Sequence, residues 1–436
     1  MKPGAVDIIT LGCSKNLVDS EKLMAQLKAS GLQVRHDPES VSAKTVIINT
    51  CGFIGDAQEE SIRMILECGE LKKEGRIGSL YVMGCLSQKF RKELQAEIPE
   101  VDGWYGKFDW NTILKKTGHV WYDELENERY LTTPPHYAYL KIAEGCNRHC
   151  AYCAIPLMTG RYRSRSKDDI IDEAQRLVAR GVKELQLIAQ DLTYYGIDTD
   201  GKPMIADMVK RLSDLPGVEW LRLHYGYPDD FPVDLLPVMR ERDNVCKYLD
   251  IALQHISDDV LRRMKRNITA EETRSLLTRI REEVPGIHIR TTLMTGFPGE
   301  TDNDFQQLLD FVREQRFERM GAFAYCEVED TYSALHYRDD VPDSIKQSRM
   351  STLMHLQEDI SYENNQTKVG KTFKTVIDRL EGDYYIGRTE YDSPEVDPEI
   401  LIKADRELLT GEFLNVRVDH VEAFDLYGTV VDDNPN

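Results

Sequence analysis

No apolar run in the chain approaches the roughly 18 residues of a membrane-crossing helix, which excludes a helical membrane protein. The amino-terminal stretch Met1-Lys2-Pro3-Gly4-Ala5-Val6-Asp7 reaches an acid before any hydrophobic segment forms. A secretory leader is therefore not expected, and the chain is assigned to the cytoplasm. Positive charge is in short supply: 55 Lys and Arg face 75 Asp and Glu, a net charge of -20. An acidic surface repels phosphate backbones, whose capture needs clustered Lys and Arg, so nucleic-acid binding is not expected as the main role. The same charge favours a basic protein partner. Cysteine is sparse, nine residues in 436, and the odd number fits a reducing compartment and metal chemistry better than a disulfide framework. The rest of the composition, 41% hydrophobic and 30% charged, is that of an ordinary globular protein, and the length suggests roughly three domains.

What the chain does have is three cysteines crowded into eight residues, Cys146, Cys150 and Cys153, in the stretch Glu144-Gly145-Cys146-Asn147-Arg148-His149-Cys150-Ala151-Tyr152-Cys153-Ala154-Ile155-Pro156. A loop of this spacing can wrap a 4Fe-4S cubane with three thiolates and leave the fourth iron open to a small molecule. A zinc site lacks its fourth ligand here, because His149 is adjacent to Cys150 and badly placed to close on the same ion. A disulfide would leave one cysteine over.

Upstream, one pattern repeats three times. Apolar strands at 7–11, 46–50 and 79–83 run into Gly12-Cys13, Cys51-Gly52 and Gly84-Cys85, and a helical stretch follows each. Asp56 with Glu59 suggests a capping box for the second of these helices. Alternating strands and helices imply a parallel sheet whose strands all end on one edge. Cys13, Cys51 and Cys85 should therefore converge, each beside a glycine and near a helix amino terminus that favours a thiolate. Three converging thiolates again suit a cluster with one open iron. Cys68, Cys246 and Cys326 are assigned to structure.

The polar stretch 126–136 marks a boundary. Six apolar strands follow, at 138–143, 183–189, 218–224, 248–253, 287–294 and 322–325, alternating with helices. Two of those helices begin at the capping boxes Thr269 with Glu272 and Thr301 with Asp304. Six strand–helix units make a partial barrel rather than a closed one. Gln190, Asp191, His224, Gln254, His255 and the 296–301 segment fall at strand ends, where barrels carry their chemistry. Arg161, Arg163, Arg165 and Lys167 form a basic island after the cysteine loop, suited to a carboxylate or to cluster charge. A helix with Ile345, Met350, Leu353, Leu356 and Ile360 on one face then leads to five short strands between 374 and 430, a small OB-like barrel. From 366 onward eight Lys and Arg oppose sixteen Asp and Glu. Asp392, Glu395, Asp397 and Glu399 read as an exposed acidic loop that attracts a basic protein.

The fold class is therefore α/β: an N-terminal parallel-sheet domain (1–125), a partial (β/α)6 barrel (137–340), a linking helix (341–366) and a C-terminal antiparallel OB-like β-barrel (367–436). The Cys146, Cys150 and Cys153 spacing, with Tyr152 before the third cysteine, resembles the radical S-adenosylmethionine (SAM) superfamily. Leu11-Gly12-Cys13-Ser14-Lys15-Asn16, Asn49-Thr50-Cys51-Gly52-Phe53, Gly84-Cys85-Leu86, Leu253-Gln254-His255-Ile256-Ser257 and Gly296-Phe297-Pro298-Gly299-Glu300-Thr301 are similar to the methylthiotransferases within it. The terminal barrel resembles their TRAM domain. The resemblance implies two 4Fe-4S clusters, one on Cys146, Cys150 and Cys153 that reduces SAM to a 5'-deoxyadenosyl radical, the other on Cys13, Cys51 and Cys85 where sulfur is delivered. Tyr152, Gln190, Asp191 and Gln254 are then the candidate SAM contacts. One branch of the family modifies an adenosine in tRNA and another an aspartate β-carbon of ribosomal protein S-twelve. The net charge, the acidic tail and the 144–166 sequence favour the second, with a reductant and a sulfur source as further partners. A non-catalytic two-cluster electron carrier is the alternative from another class.

Overall fold

The computed structural model of the chain describes residues 4–431. Its first sheet has five parallel strands in the spatial order Gln33–His36, Ala5–Thr10, Thr45–Thr50, Ser79–Gly84, Gly103–Trp104. The two outer strands, four and two residues long, extend the three expected repeats; they are too short to carry a periodic signal. Side chains alternate between faces, so Val46 and Ile48 join one apolar cluster and Ile47 the other. The order of strands reverses between Ala5–Thr10 and Thr45–Thr50, and such a reversal opens a crevice beyond the strand ends. The helix Gly55–Lys73 begins with Ile54 as its cap and no side-chain cap bond, so the expected Asp56 and Glu59 capping box does not form.

The second sheet holds six parallel strands, Tyr137–Lys141, Glu184–Ile188, Trp220–Gly226, Val245–Ile251, His288–Thr295 and Arg319–Ala324, in that order across an open barrel. Helices cover the outside through a large apolar core that takes Leu140, Leu187, Leu223, Leu249 and Leu293. Both expected capping boxes, Thr269 with Glu272 and Thr301 with Asp304, are present. The helix Asp343–Gln366 links this barrel to the last domain, but its buried stripe is Lys346, Arg349, Leu353, Gln357 and Ile360. Ile345 is exposed, because Lys346 reaches inward to pair with Asp339 at 2.5 Å.

The last domain is a closed five-stranded barrel of Thr372–Glu381, Tyr384–Thr389, Ile400–Lys403, Leu426–Val430 and Phe413–Val421. All neighbours are antiparallel except Ile400–Lys403 with Leu426–Val430, the parallel pair that closes it. Its acidic loop corrects the sequence reading. Asp392 is buried and bonded to Arg319 at 2.5 Å, Glu395 accepts from Tyr137 and Tyr139, and Asp397 accepts from Tyr248 at 2.7 Å and pairs with Arg290. Glu399 pairs with Arg379. Asp392 and Asp397 are consumed inside the molecule, because the loop enters the large barrel from the amino ends of its strands and meets an inner face rich in Arg and Tyr, whereas Glu395 and Glu399 keep exposed surface. The charge of Asp392 and Asp397 is not displayed to a partner.

Candidate functional site

The first domain sits over the opposite, carboxyl end of the large barrel. Lys141, at the end of the first barrel strand, bonds to Asp19 of the helix Ser14–Ala29. Lys89 donates to the Glu329 carbonyl at 2.5 Å. The polar 126–136 segment is fastened on both sides: buried Arg129 pairs with Glu21 at 2.5 Å and with Glu173 at 2.9 Å.

Cys13, Cys51 and Cys85 converge at the strand-order reversal. A Cβ on Gly12 would lie 2.5 Å from the Cys51 Cβ and 2.7 Å from its Sγ, and one on Gly52 would lie 2.8 Å from the backbone of Leu86. Gly12 also has φ 89°, a backbone that only glycine adopts cheaply. Asn16 ties the three loops together. Its Nδ2 donates to the Leu11 carbonyl at 3.0 Å and the Thr50 carbonyl at 3.1 Å, and its Oδ1 lies 3.8 Å from the Cys85 Sγ. Lys107 Nζ is 3.4 Å from the same oxygen and 2.9 Å from Asp19. Burial pushes the Lys107 ammonium down, but Asp19, Glu144 and the nearby thiols outweigh it and hold it charged.

The thiols differ in environment. Burial pushes the Cys13 thiol up, yet Lys15, Lys107 and the N–H groups of Asn16 and Lys15 outweigh it and lower its pKa. Cys13 keeps accessible surface while enclosed by the surrounding elements, as a group lining an internal cleft does. Burial dominates for Cys51, which is raised, and for Cys85, raised to about 12 although it opens a helix. The helix terminus therefore does not by itself prepare Cys85 as a thiolate; a bound metal would have to draw the proton off.

The second group sits on the loop between Ala143–Glu144 and Ile155–Thr159. Gly145 has φ 77° and lies against the Arg161 carbonyl, leaving no room for a side chain. The Cys146 Sγ accepts from the Arg148 N–H at 3.4 Å, and the Cys150 Sγ lies 3.3 Å from the Tyr227 hydroxyl and 3.8 Å from Arg266 Nη1. Burial raises Cys146 to about 12 and raises Cys153 further. Tyr152 turns its hydroxyl to Arg266 at 3.2 Å and its ring to Phe297. Asp191 is already engaged: it accepts from Arg148 at 2.8 Å and from the Thr193 N–H, and so orients the loop. Gln190 and Gln254 stand half-buried at strand ends, Gln254 with φ 72° and its backbone bonded to Thr292 and Met294. A cavity of about 400 Å3 beside the loop is lined by Arg148, Tyr194, Tyr227, Asp229 and Arg266 among others. Of the basic island, Arg165 pairs with Glu173 and Lys167 with Asp200, while Arg163 lies over the Phe108 ring. Arg161 and Arg163 both stay exposed.

The two groups face each other: Cys85 packs in one cluster with Ala154, Ile155 and Met158, the residues that follow Cys153. All nine cysteines are free. Among the described residues no three Cys, His, Asp or Glu close on a single metal ion. Buried Ser14 Oγ and Ser87 Oγ beside one group and Arg266 Nε beside the other have no hydrogen-bond partner, so both surroundings hold polar capacity for a bound group. Asn16, Lys107, Tyr227 and Arg266 were not singled out from sequence. Asn16 stood within the first cysteine motif and was findable; the other three have no local signal. Of the cysteines assigned to structure, Cys68 and Cys246 are buried, but Cys326 is exposed on the barrel face and is not a packing residue.

Three family models match the chain: the Radical SAM superfamily over 140–312, Uncharacterized protein family UPF0004 over 5–106, and the TRAM domain over 369–431. Among curated proteins, the "Ribosomal protein uS12 methylthiotransferase RimO" of Parabacteroides distasonis is 61% identical over 431 residues, covering 99% of this chain and all of that one. The protein of the same name from Cytophaga hutchinsonii is 49% identical, covering 98% of each. Among solved structures, the radical S-adenosylmethionine methyltransferase TsrM of Kitasatospora setae, bound to cobalamin and a 4Fe-4S cluster, aligns with a TM-score of 0.54 at 14% identity over 76% of this chain and 77% of that one, a likeness of fold.

Proposed function

The chain belongs to the ribosomal protein uS12 methylthiotransferases of the radical SAM superfamily, and we propose that it places a methylthio group on the β-carbon of an aspartate of uS12, using two 4Fe-4S clusters held by its two cysteine triads. It is a transferase. One observation carries the two-cluster reading: Cys85 packs against the residues that follow Cys153, so both triads border one cleft. When bound, the clusters and SAM supply the radical that abstracts hydrogen and the sulfur that replaces it.

The chain's own residues supply position and environment. Cys146, Cys150 and Cys153 hold one cluster, with Arg266 and Tyr227 hydrogen-bonding near Cys150; such bonds and charges set cluster potential. Cys13, Cys51 and Cys85 hold the other, with Lys107 offsetting thiolate charge. Asn16 fixes the spacing of all three loops. The first domain covers the barrel mouth and excludes water from the cleft. Tyr152, Gln190 and Gln254 border the loop where SAM binds, and Asp191 acts there by holding Arg148. A reductant and a sulfur source complete the reaction, and the cytoplasm is its compartment. No helix among the described residues is long and apolar enough to cross a membrane.

Substituting Cys51→Ala separates the two roles. In the reconstituted enzyme with reductant, SAM and uS12, the variant keeps forming 5'-deoxyadenosine and forms no methylthio-uS12. Methylthio insertion at the wild-type rate by this variant contradicts the assignment.

A further inference from the structure

Lys15 is a buried cation at the junction of the first domain and the barrel. It is 5% exposed, and among the described residues no carboxylate lies within ion-pair distance of its ammonium. Its recorded contact is the face of the Tyr225 ring, 3.2 Å from Nζ to the ring centre. The neighbouring lysines are satisfied: Lys107 and Lys141 both pair with Asp19. Asp250 feels the Lys15 charge but gives its carboxylate to the Tyr225 N–H at 3.3 Å and to Arg290 at 3.5 Å. The Lys15 charge favours the Cys13 thiolate, and an ammonium with no carboxylate bonded to it is still able to grip a further anion.

Its place says where that anion comes from. Lys15 lies two residues after Cys13, and Tyr225 lies two residues before Tyr227, whose hydroxyl is 3.3 Å from the Cys150 Sγ. The contact between Lys15 and Tyr225 therefore joins the segment that carries Cys13 to the strand-end segment that carries Tyr227. Tyr225 holds φ 63°, rare for a bulky aromatic residue, and strain of this kind collects where a ligand is held. An aspartate β-carbon is one bond from its carboxylate carbon, so a cation that grips the carboxylate also fixes the position of the reacting carbon.

We propose that Lys15, seated on Tyr225, binds the side-chain carboxylate of the target aspartate and so selects an acidic residue as substrate. This rests on the uS12 reading above. Lys15 is here a substrate-binding residue as well as a charge that favours the Cys13 thiolate; Lys107, which also faces Cys13 and Cys85, is already paired with Asp19.

The test compares binding of uS12 with that of its variant carrying Asn at the modified aspartate, in the reconstituted enzyme. The wild-type chain binds the Asp form about tenfold or more tightly than the Asn form, the scale of a charge-assisted hydrogen bond. Lys15→Met reduces that ratio to about one by weakening the Asp form alone, and Lys15→Arg keeps most of it. Equal weakening of both forms in Lys15→Met overturns the proposal, because a structural or cluster-charge role does not tell Asp from Asn. So does a wild-type chain that binds both forms alike while modifying the Asp form. A wild-type chain that neither binds nor modifies uS12 overturns the substrate reading itself, and this inference with it.

Discussion

The sharpest energetic consequence of the fold concerns Asp392→Asn. Asp392 is 3% exposed; its Oδ1 accepts from Arg319 Nη2 at 2.5 Å and Nε at 3.2 Å, and its Oδ2 accepts from Thr389 Oγ1 at 2.6 Å. Arg319 is itself 5% exposed. Burial pushes the Asp392 carboxyl up, but Arg319 and Lys368 outweigh it and hold the group ionised. Asparagine keeps the shape and removes the charge, leaving a buried guanidinium without its counter-ion. Breaking one side of a buried pair costs about 3–5 kcal/mol, because the surviving charge stays desolvated. Urea unfolding followed by fluorescence reads the loss, and amide exchange in Phe413–Val421 localises it to the last barrel. The cycle with Arg319→Met gives the signature: the double variant recovers much of the single loss, since the guanidinium orphaned by the first change is gone. A loss below about 1 kcal/mol, together with weaker binding of a basic protein, would refute the buried-plug geometry and restore an exposed acidic loop.

Other expectations follow from single groups. Glu173, pressed between Arg165 and Arg129, has its pKa lowered from 4.5 to about 2, the two guanidiniums outweighing burial. A lowered carboxyl contributes stability that is complete above about pH 4.5 and is lost as pH falls through about 2, here about 3 kcal/mol. Glu173→Gln therefore makes the acid limb of a pH–stability profile shallower across that window, and an unchanged limb contradicts the pairing. Gly12→Ala pushes a methyl group into the Cys51 side chain and strains a left-handed backbone. Its iron content after reconstitution falls to about half that of the wild-type chain while the 146–153 cluster remains visible by electron paramagnetic resonance. Full iron loading in Gly12→Ala would mean that the three thiols do not share a cluster.

Much of the architecture is legible locally. The six barrel strands start within three residues of their expected positions, and the Thr269 and Thr301 caps form because the capping chemistry lies within four residues of chain. The convergence of Cys13, Cys51 and Cys85 follows from a parallel sheet alone, whose strands all end on one edge. What sequence does not reveal is long-range pairing of charge. Asp392 and Asp397 look solvated because their cations, Arg319 and Arg290, lie 73 and 107 residues away. The same limit hides Lys107, whose partners Asp19 and Asn16 belong to another element, and Arg266, which reaches Cys150 across 116 residues. The two edge strands of the first sheet are set by pairing with a neighbour, not by their own pattern. The tail's acidity lies largely at the surface, as at Glu381, Asp383, Asp405, Glu407 and Asp419, but Asp392 and Asp397 are withdrawn from it.

The most direct test of the account is mass spectrometry of ribosomal protein uS12, and of tRNA nucleosides, from cells with and without this gene. The account predicts a methylthio mass gain on one aspartate of uS12 that disappears with the gene, and tRNA that does not change. Unmodified uS12 in both strains, with a methylthio-adenosine that depends on the gene, would contradict it.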